Sequence, residues 1–296
     1  MILAHSIMTS VTPDEPLHNE PLQLAPFHSL CYIDVMETKK DVMILKASGG
    51  GVEGAIDLVA TEQPVSLIVN SVQLVTLLCT PSELQELAVG FLLSEGILTA
   101  KTSLKKLIVD ENASSVTIEL SDLPPDFDAL FTKRTISSGC GKGITFTNAL
   151  IHSFQRIPVQ ENMVTIDELI RLLNNFRTIS KLYLETGGVH SAALANVNDL
   201  VFFSEDVGRH NAVDKLIGKA FLQSVPVENH LLLTSGRVTS EIMNKAGRNR
   251  FPLLVSRAAP SCMAIAYAED MGITLVGFAR GDRMNIYTWP NRIKVT

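Results

Sequence analysis

From residue 42 onward the chain alternates short apolar runs with Gly-rich or polar turns. VMILKA, AIDLVA, VSLIVN and QLVTLLC are β-rich runs separated by turns such as SGGGVEG, a pattern that predicts an antiparallel subdomain. PSELQELAVGFLLSEGI changes period: Leu84, Leu87, Ala88, Phe91 and Leu92 fall at helical spacing, predicting an amphipathic helix that ends near Gly96. Ser82, with Gln85 three residues on, reads as the capping box that opens it. LKKLIVD and SSVTIEL predict a strand pair. SDLPPDFDALFTKRTISSGCGKGITF is then a long turn-rich segment.

After about residue 160 strand, turn and helix alternate, the signal for parallel strands with helices on their faces. IDELIRLLNNF, NAVDKLIGKAFL, TSEIMNKAGRN and SCMAIAYAEDMG read as helices. KLYLET, LVFFSED, HLLLTSG, PLLVSR, ITLVGFA and MNIYTW read as strands. The expected class is α/β, a layered α/β/α C-terminal domain with a smaller β-rich N-terminal subdomain. Residues 1–30, with Pro13, Pro16, Pro21 and Pro26 among polar residues, read as an irregular arm. Residues 31–135 form the β-rich subdomain with one helix, 136–160 a loop and linker, and 161–296 the α/β domain.

The 296 residues, 46% hydrophobic, suffice for a sizeable core. No apolar run reaches the ~18–20 residues of a membrane helix, and the start MILAHSIMTSVTPDEP has no basic segment leading into an apolar one. The expectation is a cytoplasmic protein that does not engage a membrane. Its cysteines, Cys31, Cys79, Cys140 and Cys262, show no paired spacing for a disulfide framework or zinc knuckle, which fits a reducing compartment. A net charge of −6 argues against nucleic acid as a partner. The charge is uneven: residues 1–199 hold 13 Lys and Arg against 23 Asp and Glu, whereas residues 200–296 hold 12 against 8. The C-terminal third is the part suited to an anion.

Ligands of open α/β sheets bind at the carboxyl ends of strands, where loops and helix N-termini present free N–H groups. There the sequence repeatedly places small residues beside a cation or a histidine, in TGGVHSA, EDVGRHNAVDK, TSGR, SRAAPS and FARGDRMN. Arg209, His210, Arg237, Arg257, Arg280 and Arg283 share this setting, and Gly236 and Gly281 let a backbone approach a ligand. Together these suggest a ligand with several phosphates. The plainer alternative for each arginine is an ordinary ion pair, such as Arg209 with Asp206 or Asp214. His190 and His210 could contact phosphate, ligate a metal, move a proton or simply bond loop backbone. Asp206 and Asp214 read as residues that orient Arg209 and cap the following helix. There is no GxxxxGK[ST] and no GxGxxG after a strand, so the site is neither a P-loop nor a dinucleotide fold.

Cys140 lies in SSGCGKG, with Lys142, Lys133 and Arg134 near in sequence, and nearby cations favour the reactive thiolate. Cys31, Cys79 and Cys262 lie in apolar or helical runs and read as buried, inert thiols.

EDVGRHNAVDKLIG, with VNSVQLVTLLCTPSELQELAVGFLLSEGI, TGGVHSAAL, TSGRVTSEIMNKA, SRAAPS and ITLVGFARGDRMNIYT, closely resembles the FdhD family, the sulfur carriers needed for formate dehydrogenase activity. The likeness runs from about residue 60 to the C-terminus. It implies a persulfide on Cys140, loaded by a cysteine desulfurase and delivered to the molybdenum cofactor, bis-molybdopterin guanine dinucleotide, for formate dehydrogenase. It implies a cofactor-binding stretch at Phe278, Ala279, Arg280, Gly281, Asp282 and Arg283; His190, Arg209, His210, Asn211, Ser235, Gly236, Arg237 and Arg257, from the other strand-end segments, are the further binding candidates. It also implies a homodimer and a larger domain like the cytidine deaminase fold, with no tightly bound metal of the protein's own. The family's frequent CxxC loop is incomplete here: Gly143 stands at the second position, and a single thiol suffices for carriage, since a second is needed only for internal disulfide release. A hydrolytic deaminase is the first rival, but the sequence has neither the PCxxC nor the HxE that its zinc chemistry requires. The second rival is a chaperone that binds the cofactor without moving sulfur.

Overall fold

The computed structural model describes residues 37–99, 103–121, 123, 134–136, 144–146 and 156–294. The expected arm at 1–30, Cys31 and Cys140 lie outside the described residues.

Strands β1 (Lys39–Ser48) and β2 (Gly51–Ala60) form a long antiparallel hairpin turning at residues 49 and 50. Strands β3 (Gln63–Val69), β4 (Val72–Cys79), β5 (Ser103–Asp110) and β6 (Ser115–Ser121) make a four-stranded sheet in the order β4-β3-β6-β5. The apolar alternation of Val65, Leu67 and Val69 meets that of Val116, Ile118 and Leu120, and all six pack under α1 (Leu84–Glu95). The expected antiparallel subdomain is corrected at one place: β3 and β6 run parallel, because α1 carries the chain from β4 across to β5.

Helix α1 ends at Gly96, whose left-handed φ of 74° closes it as the sequence predicts. Its start differs. The helix opens at Leu84 behind Glu83, which has a left-handed φ of 52° and makes no side-chain cap, so the Ser82–Gln85 capping box does not form. A buried lysine competes for that corner: Lys215 Nζ donates to the Thr80 carbonyl at 3.0 Å and to Ser82 Oγ at 3.4 Å. A full capping box opens α2 (Ile166–Thr178) instead. Glu168 N donates to Thr165 Oγ1 at 3.2 Å and Thr165 N to the Glu168 carboxylate at 2.7 Å, which lowers the Glu168 pKa.

Short strand pairs β7 (Arg134–Ile136) with β8 (Ile144–Phe146), and β9 (Val164–Thr165) with β16 (Ile293–Lys294), flank the main sheet in sequence. That sheet contains β10 (His190–Ala195), β11 (Leu200–Asp206), β12 (Leu231–Thr234), β13 (Leu253–Ser256), β14 (Thr274–Arg280) and β15 (Arg283–Thr288), in the order β11-β10-β12-β13-β14-β15. Strands β11, β12, β13 and β14 run in one sense and β10 and β15 in the other, so the parallel pairings are β12–β13 and β13–β14. The expectation of a parallel sheet fails at β10–β11, β10–β12 and β14–β15; the first and last are joined by connections of a few residues, which permit only hairpins. Alternate residues divide between two faces. Ala192, Leu194, Leu232, Leu254 and Leu275 pack against α4 (Arg209–Leu222), α5 (Ser240–Arg248) and α6 (Cys262–Met271), while Ala193, Leu231, Leu233, Leu253, Val255 and Val276 pack against α2. The layered α/β/α arrangement follows.

KLYLET is not a strand. Residues Lys181–Thr186 form the short helix α3, none of whose residues is buried, so its L-Y-L alternation has no sheet to join.

Helices α1 and α4 cross at two glycines. A Cβ on Gly90 would stand 1.7 Å from the Asp214 carbonyl oxygen, and one on Gly218 would stand 1.9 Å from that of Glu86. Two buried ion pairs flank the crossing. Lys215 Nζ lies 2.7 Å from Asp206, both side chains fully buried, and Thr80 N also donates to Asp206 at 3.1 Å. Lys245 Nζ lies 2.8 Å from Asp214, which accepts from Ser94 Oγ at 2.6 Å. These pairs correct the expected partners of Arg209: both aspartates belong to lysines, whose long stems reach them from within the helical layer.

Candidate functional site

Strand direction decides where the candidate residues converge. Antiparallel pairing sets His190, at the start of β10, opposite Asp206, at the end of β11, and sets Ala192 opposite Thr234 at the end of β12. The carboxyl ends of β11, β12, β13 and β14 therefore share one edge with the amino ends of β10 and β15. His190 and Arg209–Asn211 lie on that edge, as do Ser235–Arg237, Arg257 and Phe278–Arg283.

A cavity of about 410 Å³ opens there, within the range of small-molecule sites. His190, Ser235, Arg257 and Arg280 line it. Its other wall comes from the last turn of α2 (Phe176, Arg177), from Ser180 and Tyr183, and from the stretch Gly187–Ser191. Arg280 is held in place: its Nε donates to the Arg257 carbonyl at 2.9 Å. The chain reaches that position through a register shift at Phe278, which has a left-handed φ of 51° and an exposed ring, while Ala279 turns into the core.

The remaining candidates stand beside the cavity rather than on its lining. Arg209 is 8% exposed and packs over Gly236, where a Cβ would come within 2.9 Å of the Arg209 Cβ, so the glycine is required by this close approach. His210 Nε2 lies 3.0 Å from Glu241. Asn211 Nδ2 donates to the Leu78 carbonyl at 2.8 Å and to Asp206 at 3.0 Å, which makes it a brace between the two sheets. Arg237, Gly281, Asp282 and Arg283 are exposed. Asp206 does not cap α4 with its side chain in the expected way: its carboxylate accepts from Gly208 N at 2.8 Å, while Asp214 lies inside the helix.

The electrostatics are cationic. Burial lowers the His190 pKa first, and Arg209, His210 and Arg237 lower it further, with Asp206 opposing. Its Nδ1 lies 3.3 Å from Ser235 Oγ, which accepts from Ser191 N at 2.9 Å.

Sequence reasoning missed the α3 wall. Glu205 accepts from Ser180 Oγ and from the backbone N–H groups of Leu182 and Tyr183, both at 3.3 Å, and so anchors the N-terminus of α3 against β11. Reading 181–186 as a strand hid this; Ser180 before the segment was the one available signal of a helix start.

Of the described thiols, Cys79 is wholly buried, with Sγ 3.8 Å from the Gln63 carbonyl, and burial pushes its pKa up to about 12. The inert reading holds there. Cys262 is the correction: it is exposed, because α6 turns Ala264, Ala268 and Met271 rather than its first residue into the core. Among the described residues no group of three His, Cys, Asp or Glu side chains could hold a metal, and no helix is long and apolar enough to cross a membrane.

The sequence profile of the FdhD/NarQ family matches residues 60–294. The chain is 37% identical to the sulfur carrier protein FdhD of Bacillus licheniformis over 80% of its own length and 90% of that protein's. It is 36% identical to the protein of the same name from Bacillus subtilis, over 83% and 94% of the two lengths. Among solved structures, a protein from Desulfotalea psychrophila assigned as a formate dehydrogenase accessory protein superposes with a TM-score of 0.70 at 25% identity. The match covers 87% of this chain and all of that one.

Proposed function

The chain belongs to the FdhD/NarQ family, and from that premise we propose that it is a sulfur carrier for the maturation of formate dehydrogenase. In this reading the Cys140 thiolate attacks the terminal sulfur of a persulfide on a cysteine desulfurase. A new S–S bond forms at Cys140 as the donor's S–S bond breaks, and the desulfurase thiolate leaves. The terminal sulfur then passes to the reduced metal of the molybdenum cofactor, bis-molybdopterin guanine dinucleotide, as substrate: the S–S bond breaks with its electron pair on Cys140, restoring that thiolate, and the metal supplies the two electrons that bind the sulfur as sulfide. The recipient is formate dehydrogenase, the working form a cytoplasmic homodimer, and the large domain a relative of the cytidine deaminase fold, which the helices on both faces of its mixed sheet support.

The observation that carries the ligand side of this reading is the convergence of His190, Ser235, Arg257 and Arg280 on one cavity, with Arg209, His210 and Arg237 beside it. Guanidinium forks, a neutral imidazole and a hydroxyl are the groups that grip phosphate oxygens. Phe278, Ala279, Gly281, Asp282 and Arg283 are assigned to the same ligand as the turn that presents Arg280, with Gly236 and Asn211 as backbone support.

The decisive experiment incubates the protein with a cysteine desulfurase and cysteine and maps mass by peptide. A gain of about 32 Da on the Cys140 peptide, lost in Cys140→Ala, is expected for a persulfide. No gain on that peptide refutes sulfur carriage. A cell in which Cys140→Ala still matures formate dehydrogenase would favour the chaperone reading instead.

A further inference from the structure

His190 and Tyr183 are the titratable groups without a fixed charge among the described residues that line the cavity, and the hydrogen-bond partners of His190 bear on its form. Ser235 Oγ accepts from Ser191 N at 2.9 Å and lies 3.3 Å from His190 Nδ1. A serine hydroxyl has one hydrogen to donate. Accepting from Ser191 leaves that hydrogen and a second lone pair free; donation to Nδ1 gives the hydrogen a partner, whereas accepting from Nδ1 would leave it with none among the described residues. The groups facing the imidazole are Arg209 and His210 from α4, Arg237 from the turn after β12, and Asp206 from β11. Three cationic or potentially cationic groups against one carboxylate, itself committed to Lys215, disfavour a second proton on the ring.

We propose that Ser235 is a positioning residue: by donating its hydroxyl hydrogen to His190 Nδ1 it fixes the neutral tautomer protonated on Nε2, so that His190 offers the cavity a hydrogen-bond donor without adding a charge. A neutral imidazole can serve both as the last donor to a phosphate oxygen and as a group that does not repel the arginines around it. Ser191 N, held to the same hydroxyl, sets the rotation of Ser235, and the backbone bond from Ser235 N to the Ser191 carbonyl at 3.0 Å locks the pair. The use of this donor by a phosphate rests on the function proposed above; the tautomer itself does not.

Nitrogen-15 correlation spectra of the labelled full-length protein at neutral pH read the tautomer directly, with the His190 signals identified by their loss in His190→Gln. The expected result is an unprotonated, acceptor-type shift at Nδ1 and a protonated one at Nε2. Ser235→Ala should move both shifts toward the average of mixed tautomers, and Ser235→Thr, which keeps the hydroxyl, should restore them. Should Ser235→Ala fail to fold, Ser235→Cys, of similar size with a far weaker donor, is read in the same way. Guanosine diphosphate affinity should fall about fivefold in Ser235→Ala, the effect of one neutral hydrogen bond, and recover in Ser235→Thr. A proton found on Nδ1, a doubly protonated ring, or shifts unchanged when the hydroxyl is removed would overturn the assignment. Persulfide formation on Cys140 is scored separately, so a wrong tautomer with intact sulfur loading sinks this inference alone, and a correct tautomer without loading sinks only the sulfur reading.

Discussion

Single side chains in this protein are governed by what burial does to charge. His190 has its pKa lowered by burial and neighbouring cations, so the unfolded chain binds a proton on it more readily than the folded one. The contribution is therefore fully present above the unfolded value of roughly 6.5 and is lost as pH falls toward the lower folded value. Urea unfolding across this range should show stability dropping on acidification, by at most about 1.4 kcal/mol per pH unit from this group. The slope should flatten in His190→Gln, and an unchanged slope would remove His190 as its source. Lys215 is the opposite case, a buried charge satisfied by Asp206 and by the carbonyls of Thr80 and Glu205. Lys215→Met leaves the Asp206 carboxylate buried without its cation and should cost about 3–5 kcal/mol, measured by the same unfolding curves. A loss under 1 kcal/mol would mean that the network has other support. Neither lysine could be identified from sequence as the partner of an aspartate, because Asp206–Lys215 and Asp214–Lys245 join different turns and helices. The nearer Arg209 was the natural guess.

Among secondary elements, those with a long apolar period were legible from sequence and the short polar ones were not. The helices α1, α2, α4, α5 and α6 and most strands follow the predicted segments, and apart from β1 and β2, which are legible but exposed, each buries one face or both. The misread α3 buries nothing and exists because Glu205, from a strand later in the chain, supplies its cap. Strand direction was also hidden, because periodicity gives a strand its faces and not its sense: β15 looks parallel from sequence, and β10, which runs against its neighbours, is not among the predicted strands. The α1–α4 crossing offers the clearest test at this scale. Gly218→Ala places a methyl where the Glu86 backbone stands and should cost at least about 2 kcal/mol by overpacking. Gly54→Ala, in the open hairpin with nothing within 4 Å, serves as the control and should unfold at nearly the same denaturant concentration as the parent.

For the whole molecule the uneven charge seen in the sequence becomes geometry. Loops far apart in the chain, from His190 to Arg283, are brought to one sheet edge; strand-end positions anticipate this for the loops after β11, β12, β13 and β14, whereas His190 reaches it at the start of β10, after a segment that is a helix. Which of them would line the cavity was not, because the α2 and α3 wall that selects His190, Ser235, Arg257 and Arg280 depends on the misread segment. Under the proposed function, guanosine diphosphate binding measured by calorimetry should weaken about tenfold in Arg280→Ala, the loss of one charge-assisted contact. It should also weaken in the parent as salt is raised from 0.05 to 0.5 M, as screening requires for roughly 10 Å electrostatics. Affinity indifferent to both changes would show that the cationic edge is not where the nucleotide sits.

The hairpin of β1 and β2 has a design of its own. Met43, Leu45, Val52 and Ile56 point to one side of a two-stranded ribbon and are each at least 60% exposed. Its base is tied beside the cavity wall, where Lys39 bonds Glu185 of α3 at 2.6 Å and Ala60 abuts Gly188. A ribbon with so greasy a flank is costly to leave wetted. Whatever force bends or steadies it is felt at that anchorage, so a load on the tip is delivered to α3 and Gly188, which form one wall of the cavity.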